Sequence, residues 1–236
     1  MLPKTELKKI AQLGLKKFRD QTGLFIVEGQ KSVVDFLDQG WHCEGLYSTQ
    51  KFDGLQTNMI TEKEMQRITQ FKAASPILGI FQKRLSSAIP TQESALLLDG
   101  ISDPGNLGTI IRQASWFGVS HVICSTQSVD AYNPKVVQAS MGGLARVTVH
   151  YTNLESFLFR ATLPIYGLAL TGLPIQKVSW DRPAYLAFGS ESHGISEAVL
   201  GKLTQCVTIP AVGHSAVESL NVASAAAIVL ASFTNP

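Results

Sequence analysis

An asparagine and an arginine, Asn106 and Arg112, stand six residues apart in the segment DPGNLGTIIR at residues 103–112. An apolar run with strand character ends at Asp99 just before this segment. The segment is predicted to begin as a loop with Pro104, Gly105 and Gly108 and to turn into a helix whose second turn presents Arg112. A loop at the carboxyl end of a strand, with free N–H groups at the start of a helix, suits a polar ligand. An arginine there suits a phosphate or a developing oxyanion. An ordinary turn with a solvated arginine explains the segment equally well by itself.

A second apolar strand candidate ends in the polar loop GSESHG at residues 189–194. Glycine at position 189 allows the backbone to approach a ligand closely, and Glu191 supplies a carboxylate. Ser192 followed by His193 raises the possibility of a hydrolase. A Gly-x-Ser-x-Gly nucleophile elbow would need glycine where residue 190 is serine, so a nucleophilic role for Ser192 is disfavoured.

The third block, residues 209–222, combines a strand end, a glycine-containing loop and a helix rich in small residues. The helix is predicted to start near Ser219, because serine is a favourable N-cap residue. Asn221 would then lie in the first turn, where a carboxamide is unfavourable unless it bonds to something. No His, Asp or Cys stands at ligand spacing from His193 or His214, so no metal site is expected.

Alternating strands and helices from about residue 94 predict a parallel sheet covered on both faces. Residues 1–90 are predicted to form a smaller α/β unit, with a basic helix over residues 8–19, a helix over 30–39, a capping box at Thr61 and Glu64, and a linker at 86–92. Strands are predicted at residues 24–27, 45–48, 77–81, 96–98, 121–124, 147–149, 165–170, 185–188 and 206–209. The domains are therefore predicted as 1–90 and 91–236 of the 236 residues.

Charge is unevenly distributed along the chain. Residues 1–90 carry thirteen Lys/Arg against nine Asp/Glu, whereas residues 91–236 carry seven against nine. A basic surface that contacts RNA phosphates would fit this asymmetry, and so would the solvated face of an amphipathic helix. The candidate RNA-binding residues are Lys8, Lys9, Lys16, Lys17, Arg19, Lys31 and Lys135. With no signal-peptide pattern, no apolar run long enough to span a bilayer and three scattered cysteines, a cytoplasmic protein is expected.

The three blocks, in this order, resemble the three sequence motifs of the SpoU/TrmH family of RNA ribose 2′-O-methyltransferases, within the SPOUT superfamily. The matching stretches are NLGTIIR at 106–112, GSE at 189–191, IP at 209–210 and SLNV at 219–222, with NPKVVQASMG at 133–142 between the first two motifs. Residues 24–37 resemble the L30e-like substrate-binding domain that many members carry. The resemblance therefore extends over nearly the whole chain.

This resemblance implies a deep trefoil knot at the carboxyl end, S-adenosylmethionine as cofactor, RNA as substrate and a homodimer in which the first block of one subunit completes the other's site. Ribosomal RNA is favoured over tRNA because of the N-terminal domain. The implied catalytic residues are Asn106, Arg112, Glu191, Ser219 and Asn221. The implied cofactor-binding residues are Leu186, Gly189, Ile209 and Leu220.

Two positions depart from the family pattern: arginine is common where this chain has Gln138, and the loop from Pro210 to Ser219 is longer than in many members. In the family, the counterpart of Arg112 is proposed to act as a base. Because a guanidinium is normally never deprotonated, we favour a cationic Arg112 that docks a phosphate and stabilises an alkoxide. An RNA-binding protein that keeps the fold without catalysis is the main alternative, and a base-modifying SPOUT enzyme is a weaker one. A Rossmann dehydrogenase is disfavoured because no Gly-x-Gly-x-x-Gly follows a strand.

Overall fold

The computed structural model describes residues 2–84, 88–213 and 218–235. Parts of the predicted linker at 86–92 and of the loop at 210–219, including His214, therefore lie outside the described residues. The helices are α1 (Lys4–Gln12), α2 (Lys16–Thr22), α3 (Gln30–Asp38), α4 (Glu62–Ile68), α5 (Pro104–Trp116), α6 (Pro134–Ser140), α7 (Leu154–Leu158), α8 (Glu197–Leu200) and α9 (Val222–Thr234). The strands are β1 (Leu24–Glu28), β2 (Cys43–Ser48), β3 (Asn58–Met59), β4 (Ile77–Gln82), β5 (Ala95–Asp99), β6 (His121–Ser125), β7 (Thr148–Thr152), β8 (Ile165–Pro174), β9 (Tyr185–Gly189) and β10 (Gln205–Thr208).

The N-terminal half folds around a mixed sheet of strand order β1-β4-β2-β3, in which β4 is antiparallel to both of its neighbours. Successive side chains of a strand point to opposite faces, and this sheet buries both. Phe25 and Phe81 contribute to a cluster on one face, whereas Ile26 and Ile80 pack with apolar residues of α1 and α4 on the other. The predicted small α/β unit is thereby confirmed.

The basic N-terminal segment contains two helices where the sequence predicts one. The helical conformation is interrupted at residues 13–15, where the Leu13 side chain is buried. Helix α2 ends at Gly23, whose φ of +69° suits glycine. The predicted capping box of α4 is confirmed. The Thr61 hydroxyl accepts from the backbone N–H of Glu64 at 3.2 Å, and the Glu64 carboxylate accepts from the Thr61 N–H at 2.9 Å.

The C-terminal half contains a sheet of strand order β10-β8-β9-β5-β6-β7, parallel at every pairing. Helices α5, α6 and α9 cover one face, and α7 and α8 cover the other. This layering satisfies strands such as β5, whose residues Leu96 to Leu98 are apolar and fully buried. The predicted parallel sheet is confirmed. In the part of the chain that the structure describes, no helix has the length and apolar character needed to cross a membrane.

The two halves share one hydrophobic cluster, which runs from the N-terminal sheet to α5 and α6. At the junction, the rings of Phe25 and Tyr132 lie 4.7 Å apart between centroids. The Trp41 indole N–H donates to the Ala145 carbonyl at 3.0 Å. The halves therefore pack directly against each other. The predicted division near residue 90 separates the strands of one sheet from those of the other, but it does not separate two apolar cores.

Candidate active site

The first sequence block lies beyond the carboxyl end of β5 and is almost entirely helical. Asp103 is the N-cap of α5, and its carboxylate accepts from the backbone N–H of Asn106 at 2.8 Å. Pro104 occupies the first helical position, where its missing N–H costs nothing. The helix thus begins earlier than predicted, because Pro104, Gly105 and Gly108, which the sequence assigned to the loop, already lie in α5. Gly108 serves packing: a Cβ there would lie 2.6 Å from the Val136 carbonyl oxygen of α6.

Three polar side chains from the three blocks meet at this edge of the sheet. The carboxylate oxygen Oε1 of Glu191 accepts from the Asn106 amide at 2.8 Å and from the Asn221 amide at 2.9 Å. Asn221 also donates to the Asn106 carbonyl oxygen at 2.9 Å. The network formed by these three residues ties the start of α5, the loop after β9 and the start of α9 together.

Asn221 is the N-cap of α9, so the prediction that Ser219 starts this helix is wrong. Its side-chain oxygen accepts from the backbone N–H groups of Ala223 and Ser224, at 2.9 and 3.2 Å. The amide nitrogen remains free to donate to Glu191, which explains why asparagine rather than serine or aspartate fits this position. Glu191 also lies beside the N-termini of α5 and α9, and both helix dipoles favour a negative charge there.

The loop after β9 is a tight turn fixed at both ends. Ser190 and Gly194 exchange two backbone hydrogen bonds, at 3.0 and 2.8 Å. Any Cβ on Gly189 would lie 1.9 Å from the Gly194 carbonyl carbon, so only glycine fits position 189. The Ser196 N–H donates to the Asp99 carboxylate at 2.9 Å, which joins this loop to the end of β5.

Arg112 does not join the network. It lies in the third turn of α5, six residues from Asn106, which corresponds to about 9 Å along the helix axis and a different face. Its side chain is exposed, and among the described residues it forms no hydrogen bond or ion pair. The predicted residues thus separate into an ordered network and a free arginine. Ser219 is exposed beside Asn221 and forms no part of the network among the described contacts.

Ser192 and His193 are exposed neighbours whose side chains lie 2.7 Å apart. Within the described part of the chain, no carboxylate hydrogen bonds to His193. The pair therefore lacks the orienting acid of a hydrolase triad.

The predicted cofactor-binding residues fall into two groups. Gly189 and Ile209 are half-buried where β9 and β10 end, and Leu220 is exposed just before α9. Leu186 is different, because it is 1 % exposed and its backbone pairs with β5 on one side and β8 on the other. The assignment of Leu186 to cofactor contact is therefore wrong, since a central strand residue offers a ligand no surface.

Two apolar side chains that the sequence motifs do not indicate lie at the same edge. Leu170 is 76 % exposed and Val212 is 98 % exposed. The carbonyl of Leu170 accepts from the Thr208 hydroxyl at 3.0 Å, which places it beside the end of β10. Large, exposed apolar side chains beside and just after the end of β10 are the signal that could have indicated a ring-binding surface.

Most of the predicted RNA-binding lysines lie on the surface. Lys8, Lys9, Lys17, Lys31 and Lys135 are exposed, and Lys16 is exposed although it pairs with Asp20. Two lysines, Lys16 and Lys83, hydrogen bond to Asp20 and lower its pKa to about 2.

Arg19 is a correction to that predicted set. It is 1 % exposed, and its guanidinium forms a 2.7 Å ion pair with Asp130 and donates to the carbonyls of Leu13 and Gly14. A side chain so enclosed cannot contact RNA. Arg19 lies in a basic stretch of the sequence, but its role is to link α2 to Asp130 and to the backbone between α1 and α2.

Both halves of the chain match known protein families. The sequence model of the SpoU rRNA Methylase family matches residues 93–231. The chain belongs to the SpoU rRNA methylase family. The model of the MRM3-like substrate binding domain matches residues 4–79 of this SpoU methylase. The resemblance found on the three sequence blocks is thereby confirmed.

Individual relatives match nearly the whole of this SpoU methylase. The 23S rRNA (guanosine(2553)-2′-O)-methyltransferase RlmP of Bacillus subtilis is 29% identical over 95% of this chain and 94% of its own length. A structure from Porphyromonas gingivalis, assigned to the TrmH family of RNA methyltransferases, has a TM-score of 0.89 and 37% identity, and the match covers 99% of this chain and 98% of that one. An AdoMet-bound rRNA methyltransferase from Sinorhizobium meliloti has a TM-score of 0.88 and 30% identity over 99% and 95%.

Proposed function

We propose that this SpoU methylase transfers the methyl group of S-adenosylmethionine to a ribose 2′-hydroxyl of RNA. The observation that carries the proposal is the network of Asn106, Glu191 and Asn221, which unites three separate sequence blocks at the carboxyl edge of a parallel sheet. Ligands of such sheets bind at this edge. The RlmP and Sinorhizobium relatives support the reaction and the cofactor by what their names state.

The residues at this edge fit S-adenosylmethionine. Gly189 brings its backbone to this edge at the end of β9, and the half-buried Ile209 and exposed Leu220 offer apolar surface to an adenine ring. We propose that these three residues hold the cofactor, with Leu170 and Val212 closing over it. When bound, the cofactor supplies an electrophilic sulfonium methyl group. The protein must then position the ribose and assist the loss of its 2′-hydroxyl proton.

Arg112 is proposed to meet the RNA. An exposed, unpaired guanidinium matches a phosphate in two-point geometry, and docking the phosphate next to the target ribose would leave a positive charge beside the forming alkoxide. Glu191 is proposed to orient the ribose or the cofactor: among the described contacts its Oε1 binds the two asparagines, so Oε2 can accept from a ligand. Ser219, exposed beside Asn221, is proposed to assist in the same way.

We propose that the active enzyme is a homodimer. Arg112 stands apart from the network in its own chain, so a second copy that places its Arg112 at this edge would complete the site. Trp116, 84 % exposed on the same helix, and Ile228 on α9 are apolar side chains that such an interface would cover. The trefoil knot remains a prediction from the family resemblance.

Ribosomal RNA is the proposed substrate. The MRM3-like substrate-binding match at residues 4–79 coincides with the basic half of the chain, and the bacterial relative RlmP acts on 23S rRNA according to its name. The exposed lysines Lys8, Lys9, Lys16 and Lys17 on α1 and α2, Lys31 on α3 and Lys135 on α6 are proposed to contact its phosphates. We also propose that the enzyme acts in the cytoplasm, in line with its bacterial relative RlmP.

The test is to map ribose methylation in total RNA from a deletion strain. We expect one 2′-O-methyl mark to disappear, and to return with the wild-type gene but not with an Arg112→Ala gene. Calorimetry with S-adenosylmethionine would accompany the mapping. An unchanged methylation map together with no cofactor binding would contradict the proposal and favour an RNA-binding protein without catalysis.

A further inference from the structure

The turn at residues 141–146 lies between the N-terminal half and α5. After α6 ends, Met141 and Gly142 both adopt left-handed conformations, with φ values of +49° and +85°. A short 3-10 turn at Gly143–Ala145 then leads toward β7. Residue 141 is the one described non-glycine position with a positive φ, a conformation that side chains other than glycine adopt at a cost.

The N-terminal half holds this turn at several points. The Trp41 indole N–H donates to the Ala145 carbonyl at 3.0 Å, in a buried setting. Arg146 donates to the Asp35 carboxylate at 3.0 Å. Any Cβ on Gly142 would lie 2.1 Å from an oxygen of Asp35, so the backbone of the turn passes directly over that carboxylate.

The opposite side of the same turn touches the helix that carries the proposed reactive arginine. A Cβ on Gly143 would lie 2.9 Å from the Arg112 Cα and 3.2 Å from the Ile111 carbonyl oxygen. Backbone therefore packs on backbone here, with no flexible side chain between them. Trp41 is therefore connected to the Arg112 backbone by its hydrogen bond to Ala145 and by the turn at Gly143–Ala145, which packs on Arg112.

We infer that Trp41 and Asp35 are positioning residues, which hold the 141–146 turn against α5 and so fix the place of Arg112. The inference rests on the role proposed above for Arg112. Close-packed interiors transmit small displacements instead of absorbing them, and a displacement of about 1 Å at a reacting group costs up to ~10²-fold in rate. Through this path, the half of the chain that matches a substrate-binding domain would set the geometry of the catalytic helix.

Trp41 offers a clean variant. Trp41→Phe keeps an aromatic ring beside Phe25 and Phe36 but removes the N–H donor, which leaves the buried Ala145 carbonyl without that bond. Tyr47→Phe is the matched control, because it also deletes one hydrogen bond from a buried aromatic residue of the same half. That bond, from the Tyr47 hydroxyl to Glu6 at 2.8 Å, does not involve the turn.

The first readout does not depend on the reaction. Hydrogen exchange of the full-length protein should show α5 amides at residues 110–113 exchanging about 3- to 10-fold faster in Trp41→Phe, since the turn that packs on them is loosened. Tyr47→Phe should leave these amides unchanged. Equal exchange in wild type and Trp41→Phe would overturn the inference even if the protein methylates no RNA.

The second readout is a double-mutant cycle with Arg112→Lys. We expect Trp41→Phe to lower kcat about 5- to 20-fold, while KM for RNA and the Kd of S-adenosylmethionine change less than about twofold. In the Arg112→Lys background the same substitution should cost less than about twofold, because the residue it positions is already changed. A full loss in both backgrounds, or a rise in KM without a fall in kcat, would overturn the positioning role while leaving the proposed reaction intact.

Discussion

The two halves of this SpoU methylase use their charged side chains differently. Among the described residues, every Arg or Glu that the fold buries lies in the N-terminal half: Arg19, Glu28 and Glu64 are 1, 3 and 6 % exposed. Each is held by several partners, such as the two hydrogen bonds that Glu28 accepts from Thr69 and Gln70. In the C-terminal half, Glu191 is exposed in the loop after β9, and Arg112 is exposed on the surface of α5.

This difference shows what burial does to a charge. An enclosed ion pair or carboxylate is costly to remove from water and cannot reach a ligand, so it serves the fold. An exposed carboxylate held by two asparagines keeps its solvation, its orientation and a free oxygen. Charge in the N-terminal half therefore divides into buried structural groups and exposed side chains, and only the exposed cations can serve RNA.

The largest effect should come from Arg112. We expect Arg112→Ala to lower kcat/KM by about 10²- to 10³-fold, the loss typical of a removed oxyanion donor. Its free energy of unfolding should change by less than about 0.5 kcal/mol, since the side chain is exposed. Methylation of the target RNA and urea unfolding would measure the two quantities, with Arg160→Ala, another exposed arginine, as the control.

Arg112→Lys sharpens this prediction. Lysine keeps the charge without the two-point geometry, so partial activity with an unshifted pH profile is expected if Arg112 acts as a cation. Rescue of Arg112→Ala by a small neutral amine, growing as that amine loses its proton, would instead indicate a base.

The next effect concerns Arg19. We expect Arg19→Met to lower the free energy of unfolding by about 3–5 kcal/mol, because it leaves Asp130 without its partner in a largely buried setting. Lys17→Met, two residues away and exposed, should change it by less than about 0.5 kcal/mol. Urea unfolding measures both. If Arg19→Met keeps wild-type stability and weakens RNA binding instead, the claim that buried charges of the N-terminal half serve only the fold is contradicted.

The smallest effect should come from Glu28. Desolvation raises the pKa of its carboxyl, against the opposing hydrogen bonds from Gln70 and Thr69. A group whose pKa is raised in the folded state stabilises the fold fully below its unfolded pKa, and that contribution is lost as the pH rises through the folded value.

Wild type should therefore gain free energy of unfolding relative to Glu28→Gln as the pH falls from 7 toward 4.5, by less than either effect above. Denaturant unfolding at a series of pH values would measure the difference. Parallel pH profiles for the two proteins would show that Glu28 is solvated like the carboxylates of the C-terminal half.

Several features followed from local sequence. Thr61 and Glu64 form the predicted capping box because both partners lie within one helical turn. The parallel sheet followed from strands that are apolar along their whole length, such as Leu96 to Leu98. The membership of Asn106, Glu191 and Asn221 in one site came from their motifs, whose order and spacing are properties of the chain.

Other features depended on contacts between residues distant in sequence. Arg19 lies in a basic run, and only its contact with Asp130, 111 residues away, shows that it is buried. Leu186 lies near a predicted ligand loop, but its side chain is enclosed in the apolar cluster between the sheet and its helices. Arg112 is likewise separated from the asparagine network because it lies on a different face of α5 from Asn106.

The sequence alone determined the family, the parallel sheet and the identities of the polar groups, because these depend on local pattern and motif order. The tertiary structure decided which charges are enclosed, which asparagine caps α9 and which turn packs on Arg112. The physical reason is that burial and orientation arise from the packing of two sheets and their helices around one shared core. The residues that pack against each other in this core come from both halves of the chain, so no short stretch of sequence contains both partners.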